Sequence, residues 1–303
     1  MVGLGKVLGA YLKLMRPAEW SKSFGNMLFA AVFAAYAYGV GIPLFEFSLG
    51  IVSVVLLWSG LYALNDVMDW QEDAKHSVKK KRVIPSGLVS PPSGLAFSYL
   101  LLLLSLSIAI LLQNVLFFMC ELVMLVNQLM YTSKPFSLKK RAVFDLVSGS
   151  LINPVFRFYA GWVLIVPYFN APLLAITFVV GLQFGGYGLY RLMSAEHDKK
   201  LGYKSSVVVF KEKTLRFLFY ASIALGGLSF LAMPLFNVFS PATRVYGWLP
   251  LKYLWLALGS LVLAPLYWKP MKKPGEASME SIYRVLYAHY ILFIAGFVAF
   301  LYI

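Results

Sequence analysis

Three long stretches of this chain carry no charged side chain at all: between Arg82 and Glu121, between Arg157 and Arg191, and between Arg216 and Arg244. A water-soluble domain has no surface to make from such runs. A bilayer requires them, because a helix needs about 20 apolar residues to cross the hydrocarbon layer. Backbone groups inside lipid must be satisfied within the segment, which selects helices. Composition agrees, with 60% hydrophobic residues, only 13% charged and a mean hydropathy of +0.74, against about 25% charged in soluble domains. The 303 residues therefore read as one polytopic membrane domain spanning 1–303.

The single cysteine, Cys120, lies in an apolar run, which excludes a disulfide framework. Residues 1–22 lack the uninterrupted apolar core and small-residue cleavage site of a signal peptide. They are expected to form a basic, amphipathic segment lying at the membrane interface. The net charge of +14 does not point to nucleic acid here, since basic loops orient membrane proteins and attract anionic headgroups.

Hydropathy predicts an all-α integral membrane protein with nine transmembrane helices, near 24–42, 47–68, 95–112, 114–131, 145–165, 173–193, 215–235, 249–267 and 282–302. With that count, 24 of the 27 basic residues fall on one side. Only Arg244 and Lys252 lie opposite, and Arg157 falls inside a span. The positive-inside rule then puts the amino terminus in the cytoplasm and the carboxy terminus outside.

Acids number only thirteen and are not scattered. The densest group is Asn65, Asp66, Asp69, Glu72 and Asp73, at the cytoplasmic end of the second span. On a helix, Asp66, Asp69 and Asp73 fall within about 60° of arc. Like charges so placed repel unless a cation sits among them. Mg²⁺ favours carboxylate oxygens, usually one or two together with substrate phosphates. A second group, Ser194, Glu196, His197 and Asp198, ends the sixth span on the same side. Two such patches facing one another suit a diphosphate held between Mg²⁺ ions. The bland alternative for either is a solvated charged helix end.

Basic residues converge on that face: Arg82 before Ile84-Pro85-Ser86-Gly87, Lys139 and Lys140, Lys200 and Lys204, and Arg16 and Lys22 flanking Trp20. Topology explains any one of them; together they favour a polyanionic substrate, with Arg82 supplying directional hydrogen bonds. Other motifs carry less. Gly202-Tyr203-Lys204-Ser205 lacks the upstream glycine and strand of a phosphate loop, and His76, His197 and His289 are too dispersed for zinc. Glu121 and Arg157 lie inside predicted spans, where ionisable residues need a partner or a polar lining.

These residues together resemble the UbiA superfamily of intramembrane prenyltransferases, over essentially the whole chain. Its first motif, NDxxDxxxD, stands as Asn65-Asp66-Val67-Met68-Asp69-Trp70-Gln71-Glu72-Asp73. The Arg-x-Ile-Pro-Ser-Gly signature is Arg82-Val83-Ile84-Pro85-Ser86-Gly87. The family's tyrosine-and-lysine loop corresponds to Tyr131 and Lys139, and its DxxxD motif to Ser194–Asp198 before Gly202-Tyr203-Lys204-Ser205. Ser194 stands where an aspartate is usual, so either Glu196 compensates or Asp198 alone holds the second metal.

The resemblance implies helices around a central cavity that opens sideways to lipid and toward the cytoplasm at the aspartate motifs. It implies Mg²⁺ on Asp66, Asp69, Asp73, Asp198 and Glu196, and no redox cofactor. Substrate contacts would come from Asn65, Arg82, Tyr131, Lys139, Lys200, Arg16, Lys22 and Ser194. The expected partners are a polyprenyl diphosphate donor and a hydrophobic or amphipathic acceptor, an aromatic quinone precursor before a glycerol-phosphate lipid. Arg16-Pro17-Ala18-Glu19-Trp20-Ser21-Lys22 is also similar to the branch that transfers phosphoribose to polyprenyl phosphate. A secondary transporter would place its acids nearer the midplane, on broken helices.

Overall fold

In the computed structural model, which describes residues 4–75, 79–235, 251–259, 262, 265 and 279–300, every extended element is helical. A short basic helix α1 (Leu4–Leu14) leads into α2 (Trp20–Tyr38) and α3 (Leu44–Asp73). These are followed by α4 (Pro91–Leu111) and α5 (Val115–Thr132). A broken segment comes next: α6 (Phe144–Val147), a π turn at Ser148–Ile152, and α7 (Asn153–Trp162). Then come α8 (Leu173–Leu192), two short helices α9 (Ala195–Lys200) and α10 (Ser206–Val209), and α11 (Glu212–Leu235). Residues 254–259 are helical, and α12 (Met279–Ala299) is the last element.

Among the described residues, α3, α4, α5, α8 and residues 212–233 of α11 are long and apolar enough to cross a membrane. These are five of the expected nine spans. The expected span 24–42 corresponds to α2, whose start carries Lys22, Ser21, Ser23 and Asn26. The span 145–165 is interrupted by the π turn, in the run Ser148-Gly149-Ser150 before Asn153-Pro154. Pro154, at the second position of α7, has no N–H to give the turn before it, and the helix widens into the π turn at that place. The span 249–267 and the end of 282–302 lie partly outside the described residues.

Packing is aromatic. Phe29 meets Phe158, Phe178 and Phe297, and Trp162 stacks on Phe158, so α2, α7, α8 and α12 share one core. Elsewhere small residues let backbones approach, as in membrane helix pairs generally. A Cβ on Gly185 of α8 would lie 2.5 Å from the carbonyl oxygen of Phe219 on α11. Facing outward, Leu103, Leu111, Val115 and Phe217 are 65–76% exposed, which suits lipid rather than water.

The amino-terminal segment is anchored by specific bonds. Ala10 and Leu14 of α1 pack with Ala63, Val83, Ile84 and Val89, while Leu8 and Leu12 stay exposed. The Trp20 indole N–H donates to Ser59 Oγ at 3.0 Å and to the Met15 carbonyl at 3.2 Å. The corner between α1 and α2 is thereby fixed on α3, with Arg16 in the left-handed region before Pro17.

Candidate active site

At about 1.5 Å per residue, the 30 residues of α3 exceed what a hydrocarbon layer of about 30 Å requires. Its acidic last turns therefore emerge at one end of the bundle. Asp66 and Asp73 are buried, and both receive the Arg82 guanidinium, from Nη1 to Asp66 Oδ1 at 3.1 Å and to Asp73 Oδ2 at 2.7 Å. Arg82 is held there because Val83 and Ile84, next to it, are buried against α1. Arg16 adds a second guanidinium, its Nη2 donating to Asp66 Oδ1 at 2.5 Å. Lys79 approaches Asp73 at 3.6 Å.

The loop after α5 closes over this end. Lys139, buried on a short 3₁₀ turn, donates to Asp69. Lys140 donates to Glu72 Oε1 at 3.1 Å and lies 4.3 Å from the centre of the Tyr203 ring. Tyr203 in turn donates its hydroxyl proton to Glu72. The Lys204 N–H donates to the Lys140 carbonyl at 3.0 Å, so the loops on either side of the site are joined through backbone. Burial, and then the bond to Glu72, push the Tyr203 phenol above its ordinary value.

A second patch lies on the α8 side. Arg191 Nη2 donates to Asp198 Oδ2 at 2.6 Å and lies 3.6 Å from Asp145 Oδ2. Ser205 donates to Asp198 at 2.7 Å. Ser206 donates to Asp145 twice, through its hydroxyl at 2.5 Å and its backbone N–H at 3.0 Å. One turn before Arg191, Tyr187 shares a 2.7 Å hydrogen bond with Tyr131 of α5. The two patches share one space: Lys79 feels Asp73, Asp69 and Asp198 together. Burial lowers its ammonium below the ordinary lysine value, with Asp73 opposing.

The residues expected from sequence divide accordingly. Asp66, Asp69, Asp73, Arg82, Lys139 and Arg16 meet at one mouth, with Asp198 nearby. Asn65 faces α5, its Oδ1 accepting from Thr132 at 3.1 Å. Lys22 pairs with Glu19 at 2.6 Å, beside Tyr62. The Ser194 hydroxyl donates to the Arg191 carbonyl at 2.8 Å. Glu196 and Lys200 are exposed and make no ion pair among the described residues; of the first turn of α9, only Asp198 is buried. Arg191, Asp145 and Ser206 are site residues that the sequence does not single out, while Tyr203 and Ser205 stand in it only as members of the Gly202-Tyr203-Lys204-Ser205 stretch. Asp145 carries a usable signal, being an acid beside an apolar run.

The α3 carboxylates suit a hard divalent cation. Among the described residues Asp66 and Asp69 are each engaged through Oδ1 alone, which leaves the second oxygen of each available. No three acidic, histidine or cysteine side chains form a closed metal cage among those residues. Mg²⁺ commonly uses one or two carboxylates and completes its shell with water and phosphate. The donor set fits that mode.

The bundle has five described helices long and apolar enough to cross a membrane, and at the end of one of them carboxylates are paired with arginine and lysine, the setting of an integral membrane enzyme. The sequence profile of the UbiA prenyltransferase family matches residues 26–294, and the chain belongs to that family as an integral membrane prenyltransferase. No curated protein sequence matches it. Among solved structures it is similar to a UbiA homologue from Archaeoglobus fulgidus bound to GPP and Mg²⁺. Identity there is 21% and the TM-score 0.68, covering 95% of this chain and 98% of that one. A UbiA homologue from Aeropyrum pernix K1 is 18% identical with a TM-score of 0.70, over 93% and 98%. A digeranylgeranylglyceryl phosphate synthase structure is 20% identical with a TM-score of 0.60, over 96% and 98%. At these identities the likeness establishes the fold.

Proposed function

We propose that the chain transfers a prenyl group from a polyprenyl diphosphate to a hydrophobic or amphipathic acceptor, with Mg²⁺ and within the membrane. In this reading nine spans surround a central cavity, the amino terminus is cytoplasmic, and the carboxylate mouth opens to the cytoplasm. The observation that carries it is the meeting of Asp66, Asp69 and Asp73 with Arg82 and Lys139 at the end of α3. Such a mouth offers cation-binding oxygens and hydrogen-bond donors to one diphosphate.

Asp66 and Asp69 would hold the metal, with Asp73 and Asp198 adjoining. When bound, Mg²⁺ supplies charge neutralisation of the diphosphate. The bond between the allylic carbon and the diphosphate oxygen breaks, and the electron pair leaves with the diphosphate. Arg82 and Lys139 donate to the oxygens on which charge accumulates. The allylic carbon then bonds to the acceptor, whose displaced proton goes to the released diphosphate. One and two turns deeper on α3, the Tyr62 and Trp58 rings lie under the guanidinium groups of Arg16 and Arg157, 5.0 and 4.2 Å from the ring centres. The relatives bound to GPP and Mg²⁺ support the donor class. For the acceptor, an aromatic quinone or lipid precursor stands first and a glycerol-phosphate hydroxyl second, as the synthase relative suggests.

The test is the melting temperature of the detergent-purified protein with Mg²⁺ and, in turn, geranyl, geranylgeranyl and phosphoribosyl diphosphate. Each is repeated with chelator. A ligand selective for the folded state raises the melting temperature by mass action. Metal-dependent stabilisation by the prenyl diphosphates is expected. Stabilisation by phosphoribosyl diphosphate alone would move the chain to sugar transfer.

A further inference from the structure

The two patches differ in a way that bears on how many metal ions the site takes. On α3, the paired cations reach in from outside that helix: Lys139, 10% exposed, from the loop after α5, and Arg16, Lys79 and Arg82 from flanking segments, with side chains 25%, 32% and 28% exposed. The three partly exposed side chains can turn from carboxylate to phosphate when a diphosphate arrives. The α8 patch is built otherwise. Arg191 stands in the last turn of α8 and its side chain is 13% exposed, while that of Asp145 is fully buried. Each oxygen of Asp145 accepts one donor of Ser206, and Oδ2 of Asp198 accepts from both Arg191 and Ser205.

That donor set does not fit a second divalent cation. Ser194, where a carboxylate would be needed, gives its hydroxyl to the Arg191 carbonyl. Glu196 is exposed. Asp198 has one oxygen left, and the nearest positive charge to it is Arg191 itself, which would repel an incoming metal. Moving Arg191 aside would strand two buried carboxylates and a buried guanidinium, which is strongly unfavourable. Arg191 also keeps a buried Nε–H with no acceptor among the described residues, a donor in hand for an anion.

We propose that the Arg191 guanidinium stands in place of a second metal ion. The chain then grips its diphosphate between one divalent cation on the α3 carboxylates and one fixed guanidinium on α8. This rests on reading the mouth as a diphosphate site. Guanidinium suits the task because it stays charged and presents several N–H donors in a planar fork. A site built this way needs only one metal ion per turnover.

Mn²⁺ paramagnetic resonance counts the ions directly. The purified full chain is titrated with Mn²⁺ in the presence of a non-cleavable geranyl thiolodiphosphate, and protein-bound Mn²⁺ is quantified. One ion per chain, without the dipolar broadening of a coupled pair, is the expected result. Two ions, or a coupled pair, overturn the inference and leave the prenyl diphosphate reading standing. No bound ion overturns both. Ser194→Asp, which adds the missing carboxylate, is expected to keep the count at one, because Arg191 still fills the place. A count of two in that variant would show the place open to metal and overturn the inference. Arg191→Gln is expected to weaken binding of the analogue about tenfold or more with one Mn²⁺ retained, and Arg191→Lys to weaken it less. Unchanged affinity in a folded Arg191→Gln protein refutes the assignment. If that variant does not fold, the count in the unmodified chain decides.

Discussion

Arg16 and Asp66, fifty residues apart, are joined by a hydrogen bond of 2.5 Å, with the Arg16 guanidinium also lying 5.0 Å from the centre of the Tyr62 ring. The amphipathic amino-terminal segment is thereby part of the mouth rather than a separate membrane anchor. A hydrogen bond to a charged group contributes about 1.5–3 kcal/mol. Here Arg82 shares the same carboxylate oxygen and Arg16 is a quarter exposed, so the lower end applies. Arg16→Ala is expected to lower the melting temperature by a few degrees and to reduce turnover together with it. Arg82→Ala is expected to act chiefly on affinity for the prenyl diphosphate. The two are separated by measuring melting curves and KM side by side.

Among the described residues Asp69 engages a single partner, Lys139, through one of its oxygens, and its side chain is 19% exposed. An amide there keeps the shape and can still accept from Lys139 while losing the charge a divalent cation needs. Asp69→Asn is expected to leave the protein folded with a lowered melting temperature, since buried Lys139 loses its charge partner, and to cut prenyl transfer by about a hundredfold or more, the scale of losing a main electrostatic contributor. A folded Asp69→Asn protein with full turnover would remove Asp69 from the mechanism.

Tyr203, Glu72 and Lys140 tie the loop before α10 to the end of α3. Because the phenol is raised in the folded chain, both states hold its proton below the ordinary tyrosine value of about 10. Above that value the unfolded chain releases its proton first, so the stability contributed by Tyr203 is present at neutral pH and lost as pH rises. Tyr203→Phe is expected to flatten the alkaline decline in melting temperature and to lower stability modestly at pH 7. An alkaline arm identical in both proteins would mean that Tyr203 is not the group responsible.

The acidic end of α3 is legible in the sequence because the apolar runs isolate it: carboxylates at helical spacing beside a membrane boundary repel one another and call for a cation. Arg191 and Asp145 are not legible in that way. Arg191 borders an apolar run, where a basic residue reads as a topology signal, and its bridging of Asp145 and Asp198 appears only when α6, α8 and α9 are brought together. Glu196 looks equivalent to Asp198 because the two are close in sequence, but only Asp198 is on the buried side of α9. The interrupted segment from α6 to α7 is written as Ser-Gly-Ser followed by Asn-Pro. Hydropathy averaging smooths it into a single span, since Phe144, Leu146, Val147, Leu151 and Ile152 surround the polar positions. Hydrogen bonds from Asn127 to the Ser148 carbonyl and Asn153, at 2.9 and 2.8 Å, satisfy the opened turn, and no one-dimensional pattern contains them.

Gly161 marks the tightest crossing of α2 and α7. A Cβ there would lie 2.3 Å from the Met27 carbonyl oxygen and 2.5 Å from the Met27 Cα, backbone atoms that have no rotamer to change. Gly161→Ala must therefore push the helices apart, and overpacking of this kind costs about 1–3 kcal/mol. The effect is expected to reach the chemistry, because α2 follows directly from the Arg16 corner. Arg157, on α7 one turn before Gly161, holds its guanidinium 4.2 Å from the centre of the Trp58 ring on α3. Gly186→Ala is the matched control, since nothing lies within 4 Å of a Cβ at that position. The expected outcome is a melting temperature lowered by several degrees and reduced turnover for Gly161→Ala, with Gly186→Ala unchanged in both. Equal melting temperatures for the two variants would mean that α2 and α7 do not depend on this contact.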